Sequence, residues 1–132
     1  MVEAKRHGRA PRGGAAGGSR QRRPGGRGRW AHVYAAIDLG TNNCRLLVAR
    51  PTAGGFRVVD AFSRIVRLGE GLGASGLISE AAMARTVEAL GVCVAKMRRR
   101  GVTRARSVAT ETCRKARNCD AFLQRVRTET GL

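Results

Sequence analysis

The chain has 132 residues, with 26 lysines and arginines against nine acids and a formal net charge of +17. That length allows one domain at most, and the basic balance makes a polyanionic partner electrostatically plausible. Four cysteines at positions 44, 93, 113 and 119 form no C-x-x-C pair. With no signal-peptide pattern and no long apolar run, they read as reduced thiols in a cytoplasmic setting without a membrane span.

Residues 1–30 hold eight arginines, one lysine and a single acid, Glu3, and so carry +8 of the charge. Only Val2 and Trp30 offer a large apolar side chain there. A segment so polar buries too little surface to offset its ordering entropy, and it is expected to be a disordered tail. Such a tail could contact RNA, polyphosphate or an acidic surface. It could equally be a solvated arm, an arginine-rich stretch upstream of the true start, or a transit peptide, although serine is scarce. Residues 31–132 form the expected folded part.

Three mostly apolar runs follow, Val33–Leu39, Cys44–Arg50 and Phe56–Val66. Their length and their flanking turn residues, Gly40-Thr41-Asn42-Asn43 and then Pro51 with Gly54-Gly55, predict strands in an antiparallel meander. Gly69 to Gly76 is read as a glycine loop. Ser79 is placed to cap a helix, with Glu80 in its first turn. Met83, Val87, Leu90, Val94 and Met97 recur at spacings of four and three, which makes one apolar helical stripe. Arg98, Arg99 and Arg100 suit the C-terminal dipole, and Gly101 ends the helix. Arg106–Thr110 is expected to be a strand parallel to an earlier one. A short helical stretch over Thr112–Ala116 precedes a last helix, capped by Asn118 or Asp120 and ending near Gly131. The order predicts a sheet covered by helices on one face, with the strands that would complete it absent.

The turn after the first strand carries the chemistry. Asp38 ends the strand, where its carboxylate could hold Mg²⁺ through water. Gly40 permits close backbone approach, while Thr41, Asn42 and Asn43 offer amide and hydroxyl donors that suit a phosphate oxygen. Arg45 could clamp a second phosphate with its forked guanidinium. On spacing alone, an ordinary hairpin turn with Asp38 satisfied by its own loop is the other reading. His32 with Cys113 and Cys119 has the wrong spacing for a zinc ribbon.

Asp38-Leu39-Gly40-Thr41-Asn42-Asn43-Cys44-Arg45-Leu46-Leu47-Val48-Ala49 resembles the first phosphate loop of the exopolyphosphatase / guanosine pentaphosphate phosphohydrolase (Ppx/GppA) family. That family lies within the actin-like, sugar-kinase-like ATPase superfamily. The likeness continues through Arg67-Leu68-Gly69-Glu70-Gly71-Leu72, Gly76-Leu77-Ile78-Ser79 and Ala109-Thr110-Glu111-Thr112-Cys113-Arg114-Lys115-Ala116-Arg117-Asn118, and closes on Glu129-Thr130-Gly131-Leu132. It covers about residues 33–132. The resemblance implies an α/β, ribonuclease-H-like lobe of the actin-like ATPase superfamily, incomplete and preceded by the disordered tail. It also implies phosphate binding by Gly40, Thr41, Asn42, Asn43, Arg45 and Arg114.

The activity implied is Mg²⁺-dependent hydrolysis of a phosphoanhydride, in polyphosphate or in guanosine penta- or tetraphosphate. The family's catalytic glutamate lies in an E-E-A-R-like segment, and its second Asp-Gly loop lies farther on. Neither occurs in this sequence. The expectation is therefore the N-terminal piece of a longer hydrolase, with a phosphate half-site and no catalytic residue of its own. The alternatives are a non-catalytic binder of polyphosphate or alarmone and an RNA-binding protein acting through residues 1–30. The oligomeric state is left open.

Overall fold

The computed structural model describes residues 32–109 and 111–132, and builds them into one four-stranded sheet with helices. The segment read as a disordered tail, residues 1–30, lies outside the described residues. Strands β1 (Tyr34–Leu39), β2 (Asn43–Thr52) and β3 (Gly55–Ile65) form the antiparallel meander that their short connections require. Strand β4 (Arg104–Ala109) is reached only after a long helix, and pairs parallel with β1. The sheet order is β3-β2-β1-β4.

The helices are α1 (Leu72–Ser75), α2 (Glu80–Arg99), α3 (Glu111–Lys115) and α4 (Cys119–Thr130). Ser79 caps α2 as expected, its hydroxyl accepting the Ala82 N–H at 3.2 Å. Glu80 stands in the first turn, and Lys96, Arg98 and Arg99 in the last. Gly101 leaves the helix at φ 64°, a conformation that suits a residue without a Cβ.

Met83, Val87, Leu90 and Met97 are buried and Val94 half-buried, so the stripe seen in the sequence is the face laid on the sheet. Ala82, Ala89 and Cys93 widen it. Against it stand Ala35, Ile37 and Leu39 of β1 and Cys44, Leu46 and Val48 of β2. Helix α4 packs beside α2 and adds Phe122 and Val126. Each large side chain so buried stabilises the fold by about 1.5–3 kcal/mol. The opposite face is open: Tyr34, Ala36 and Asp38 alternate with the core residues of β1, and Arg45 and Leu47 with those of β2.

Four details differ from the sequence expectation. The Gly69–Gly76 segment contains the one-turn helix α1, because Leu72 docks on the core. Strand β2 continues through Pro51, which pairs with Phe56 near the hairpin end. Strand β4 begins at Arg104, two residues earlier than expected. Asn118 occupies the N-cap position of α4, but its side chain makes no cap bond. Its amide is instead engaged by Ile78, accepting from the Ile78 N–H and donating to the Ile78 carbonyl, both at 2.9 Å. Asp120 lies inside the first turn of α4.

Candidate functional site

The turn between β1 and β2 is fastened by its carbonyls. The Asn43 carbonyl accepts from Gly40 N–H at 2.8 Å, and the Thr41 carbonyl from Gly69 N–H at 3.1 Å. The Asn42 carbonyl accepts from both Val66 at 2.7 Å and Arg67 at 3.1 Å. Arg67 holds φ 47°, a left-handed conformation that costs a non-glycine residue about 1–2 kcal/mol, and in that conformation its N–H reaches Asn42. Among the described residues, no backbone acceptor takes the N–H of Thr41 or Asn42. With the acceptors engaged and these donors left over, the turn has the polarity of an anion nest. The Gly40 N–H is used within the turn, so Gly40 contributes shape rather than a free donor.

Asp38 and Arg45 face each other in the β1–β2 register. Both side chains are exposed on the open sheet face and line a hollow of about 470 Å³ together with Ala36, Leu47, Ala61 and Ser63. Asp38 is the penultimate residue of β1, a strand buried on one face only, and it lies on the open face. Neither group is engaged in an ion pair among the described residues. Asn42 is exposed and Asn43 half-buried at the rim of the same turn.

Thr41 points the other way. Its hydroxyl is hydrogen-bonded to the hydroxyl of Thr112 at 2.7 Å, which ties the turn to α3. Thr41, Thr112, Gly69, Gly73, Glu111 and Lys115 share a second hollow of about 340 Å³. Gly69 is required there, since a Cβ at that position would stand 2.5 Å from Thr41 Cγ2. Arg114 follows Thr112 on α3 but lines a third groove, with Cys113, Arg117, Cys119 and Asp120. The structure therefore brings Asp38, Arg45 and the turn together and sets Arg114 around the side of α3. Thr112 and Gly69 are the positions that reading single residues for chemistry passed over; their places within the two quoted motifs were the available signal.

Among the described residues, no group of three or more His, Cys, Asp or Glu side chains is placed to hold a metal ion. His32 bonds the Thr103 hydroxyl at 3.0 Å through Nδ1. Mg²⁺ retains waters and is commonly held by one or two carboxylates plus substrate phosphates. A lone exposed Asp38 beside an anion nest fits that mode, and would not form a protein-only cage.

The Ppx/GppA phosphatase family profile matches residues 47–132, a span that begins just after Arg45. The chain is 37% identical over 91 residues to a guanosine-5′-triphosphate,3′-diphosphate pyrophosphatase of Pseudoalteromonas translucida, covering 69% of this chain and 18% of the relative. It is 41% identical over 91 residues to the protein of that name from Aeromonas hydrophila, with the same coverage of 69% and 18%. Among solved structures, the Aquifex aeolicus Ppx/GppA family member superposes with a TM-score of 0.74 at 32% identity, over 76% of this chain and 33% of its own. An exopolyphosphatase of Cytophaga hutchinsonii gives a TM-score of 0.73 at 24% identity, over 76% of this chain and 32% of its own, which bears on the fold alone. The chain thus spans under a fifth of the curated relatives and about a third of the solved ones. A profile match over most of the sequence and a shared α/β lobe lead to one conclusion: the chain belongs to the Ppx/GppA phosphatase family.

Proposed function

We propose that residues 38–45 form the first phosphate-binding element of a phosphoanhydride hydrolase whose activity belongs to a longer protein. One observation carries the reading. The carbonyls of Thr41, Asn42 and Asn43 are all engaged by the fold, while the Thr41 and Asn42 amides are left as donors beside Asp38 and Arg45. In this role the Thr41 and Asn42 amides and the Asn42 and Asn43 side chains receive the oxygens of a terminal phosphate, with Gly40 shaping the turn. The Arg45 guanidinium holds the next phosphate as a fork. Arg114 adds positive potential from α3 rather than direct contact with the same phosphate. Asp38 would hold Mg²⁺ through water, and the ion, when bound, supplies charge neutralisation on the phosphate oxygens.

The relatives named for guanosine-5′-triphosphate,3′-diphosphate favour guanosine pentaphosphate as the substrate class, with polyphosphate next. A cytoplasmic location accords with either. Hydrolysis also needs a base to orient water, and that group belongs to the part of the relatives that this chain does not span. A second reading rests on the charge of +17, which suits general polyanion capture, RNA included, through residues 1–30.

Calorimetric titration of the 132-residue chain with tripolyphosphate, with and without Mg²⁺, separates the two. Arg45→Ala should weaken binding about 10-fold or more, the scale of a lost hydrogen bond to a charged group. Binding that is unchanged by Arg45→Ala and collapses with salt would assign capture to the tail.

A further inference from the structure

Cys113 and Cys119 stand six residues apart, across the turn between α3 and α4. Both line the same surface groove of about 380 Å³, and the Cys119 thiol is one of the groups that raise Cys113. The other two cysteines also form a pair, Cys44 Sγ and Cys93 Sγ lying 3.9 Å apart, but both are wholly buried. A buried pair is out of reach of a dissolved oxidant. Cys119 is only half-buried, whereas Cys113 is 6% exposed. Arg114 and Arg117 line the groove with them. The pair is thus asymmetric, with one more reachable sulfur and one sheltered sulfur.

We propose that Cys113 and Cys119 form a redox-sensitive dithiol, oxidised by hydrogen peroxide to an intramolecular disulfide. The Cys119 thiolate attacks one peroxide oxygen, the O–O bond breaks, and hydroxide leaves, giving a sulfenic acid at Cys119. The Cys113 sulfur then displaces that hydroxyl, forming the S–S bond as water departs with the Cys113 proton. In sum two thiols and one peroxide become one disulfide and two waters, the two electrons coming from sulfur. Burial and the neighbouring thiol push Cys113 up to about 11, which keeps it protonated until the sulfenic acid forms. Thr112, whose hydroxyl holds Thr41, adjoins Cys113, so the cross-link falls one residue from the tie between α3 and the β1–β2 turn.

Trypsin makes the outcome readable in the unaltered chain. Cleavage after Arg106, Arg114, Arg117 and Arg125 places Cys113 and Cys119 in separate peptides, 107–114 and 118–125. After brief peroxide treatment of the reduced 132-residue chain and trapping of free thiols with N-ethylmaleimide, these two peptides should appear linked, two hydrogens lighter than their sum. They should separate on reduction. Cys119→Ser should leave peptide 107–114 fully alkylated after the same treatment. Both peptides alkylated after peroxide, sulfinic acid at Cys119 with Cys113 still free, or linkage of Cys44 to Cys93 ahead of this pair would each overturn the proposal.

Discussion

Gly69→Ala tests the architecture behind the site. The new methyl would lie 2.5 Å from Thr41 Cγ2, more than an ångström inside ordinary contact. The Gly69 φ is not in the left-handed region, so the conflict is steric and not conformational. Thr41 is β-branched, and turning its χ1 to move Cγ2 aside also moves the hydroxyl bonded to Thr112 at 2.7 Å. The protein then either keeps the overlap, costing about 1–3 kcal/mol as overpacking does, or gives up a hydrogen bond worth about 0.5–1.5 kcal/mol. The expected destabilisation is about 1–2 kcal/mol, which for a folded unit of roughly a hundred residues lowers Tm by several degrees. Thr41→Ser removes Cγ2 and keeps the hydroxyl, so Gly69→Ala should cost much less in that background. A double-mutant cycle by urea unfolding, followed by circular dichroism, should return a coupling of about 1 kcal/mol. Equal costs in the two backgrounds would refute the contact and the coupling of the turn to α3.

Asp60 accepts from Lys96 Nζ and Arg100 Nε, both at 2.9 Å, and these two cations hold its carboxyl well below the usual carboxylate range. A carboxylate with a depressed folded pKa stabilises fully above its unfolded value, near 3.9, and progressively less as pH falls below it. The urea midpoint of Asp60→Asn should therefore lie below the unaltered chain at pH 7, and the gap should narrow between about pH 4 and pH 2; a gap independent of pH would contradict the pairing. Ser79→Ala removes one cap bond and should cost about 1 kcal/mol in the same assay. Asn118→Ala removes two bonds to Ile78 and should cost more than Ser79→Ala; the reverse order would contradict the stabilising role of the Asn118–Ile78 bonds.

Much of this arrangement was legible in the sequence because it is local. The stripe from Met83 to Met97, the Ser79 cap and the Gly101 stop each follow from residues within one helix. The meander followed from turn residues between apolar runs. What escaped was long-range. Thr41 and Thr112 lie 71 residues apart, and no spacing rule joins them. Asn118 looked like a cap because caps are the commonest local use of asparagine, yet a partner 40 residues away claims its amide. Arg114 was grouped with Arg45 by family likeness; α3 turns it into the groove beside Cys113 and Arg117. The acceptor-engaged, donor-rich state of the turn also needed coordinates, since it depends on Val66, Arg67 and Gly69 reaching back to it.

The most direct measurement is an amide-resolved NMR titration of the 132-residue chain with tripolyphosphate at fixed ionic strength, with and without Mg²⁺. The account predicts that the Thr41 and Asn42 amides shift first and saturably, that Arg45 follows, and that Mg²⁺ strengthens the effect unless Asp38 is changed to Asn. Shifts confined to residues 1–30, with Thr41 and Asn42 unmoved, would contradict it.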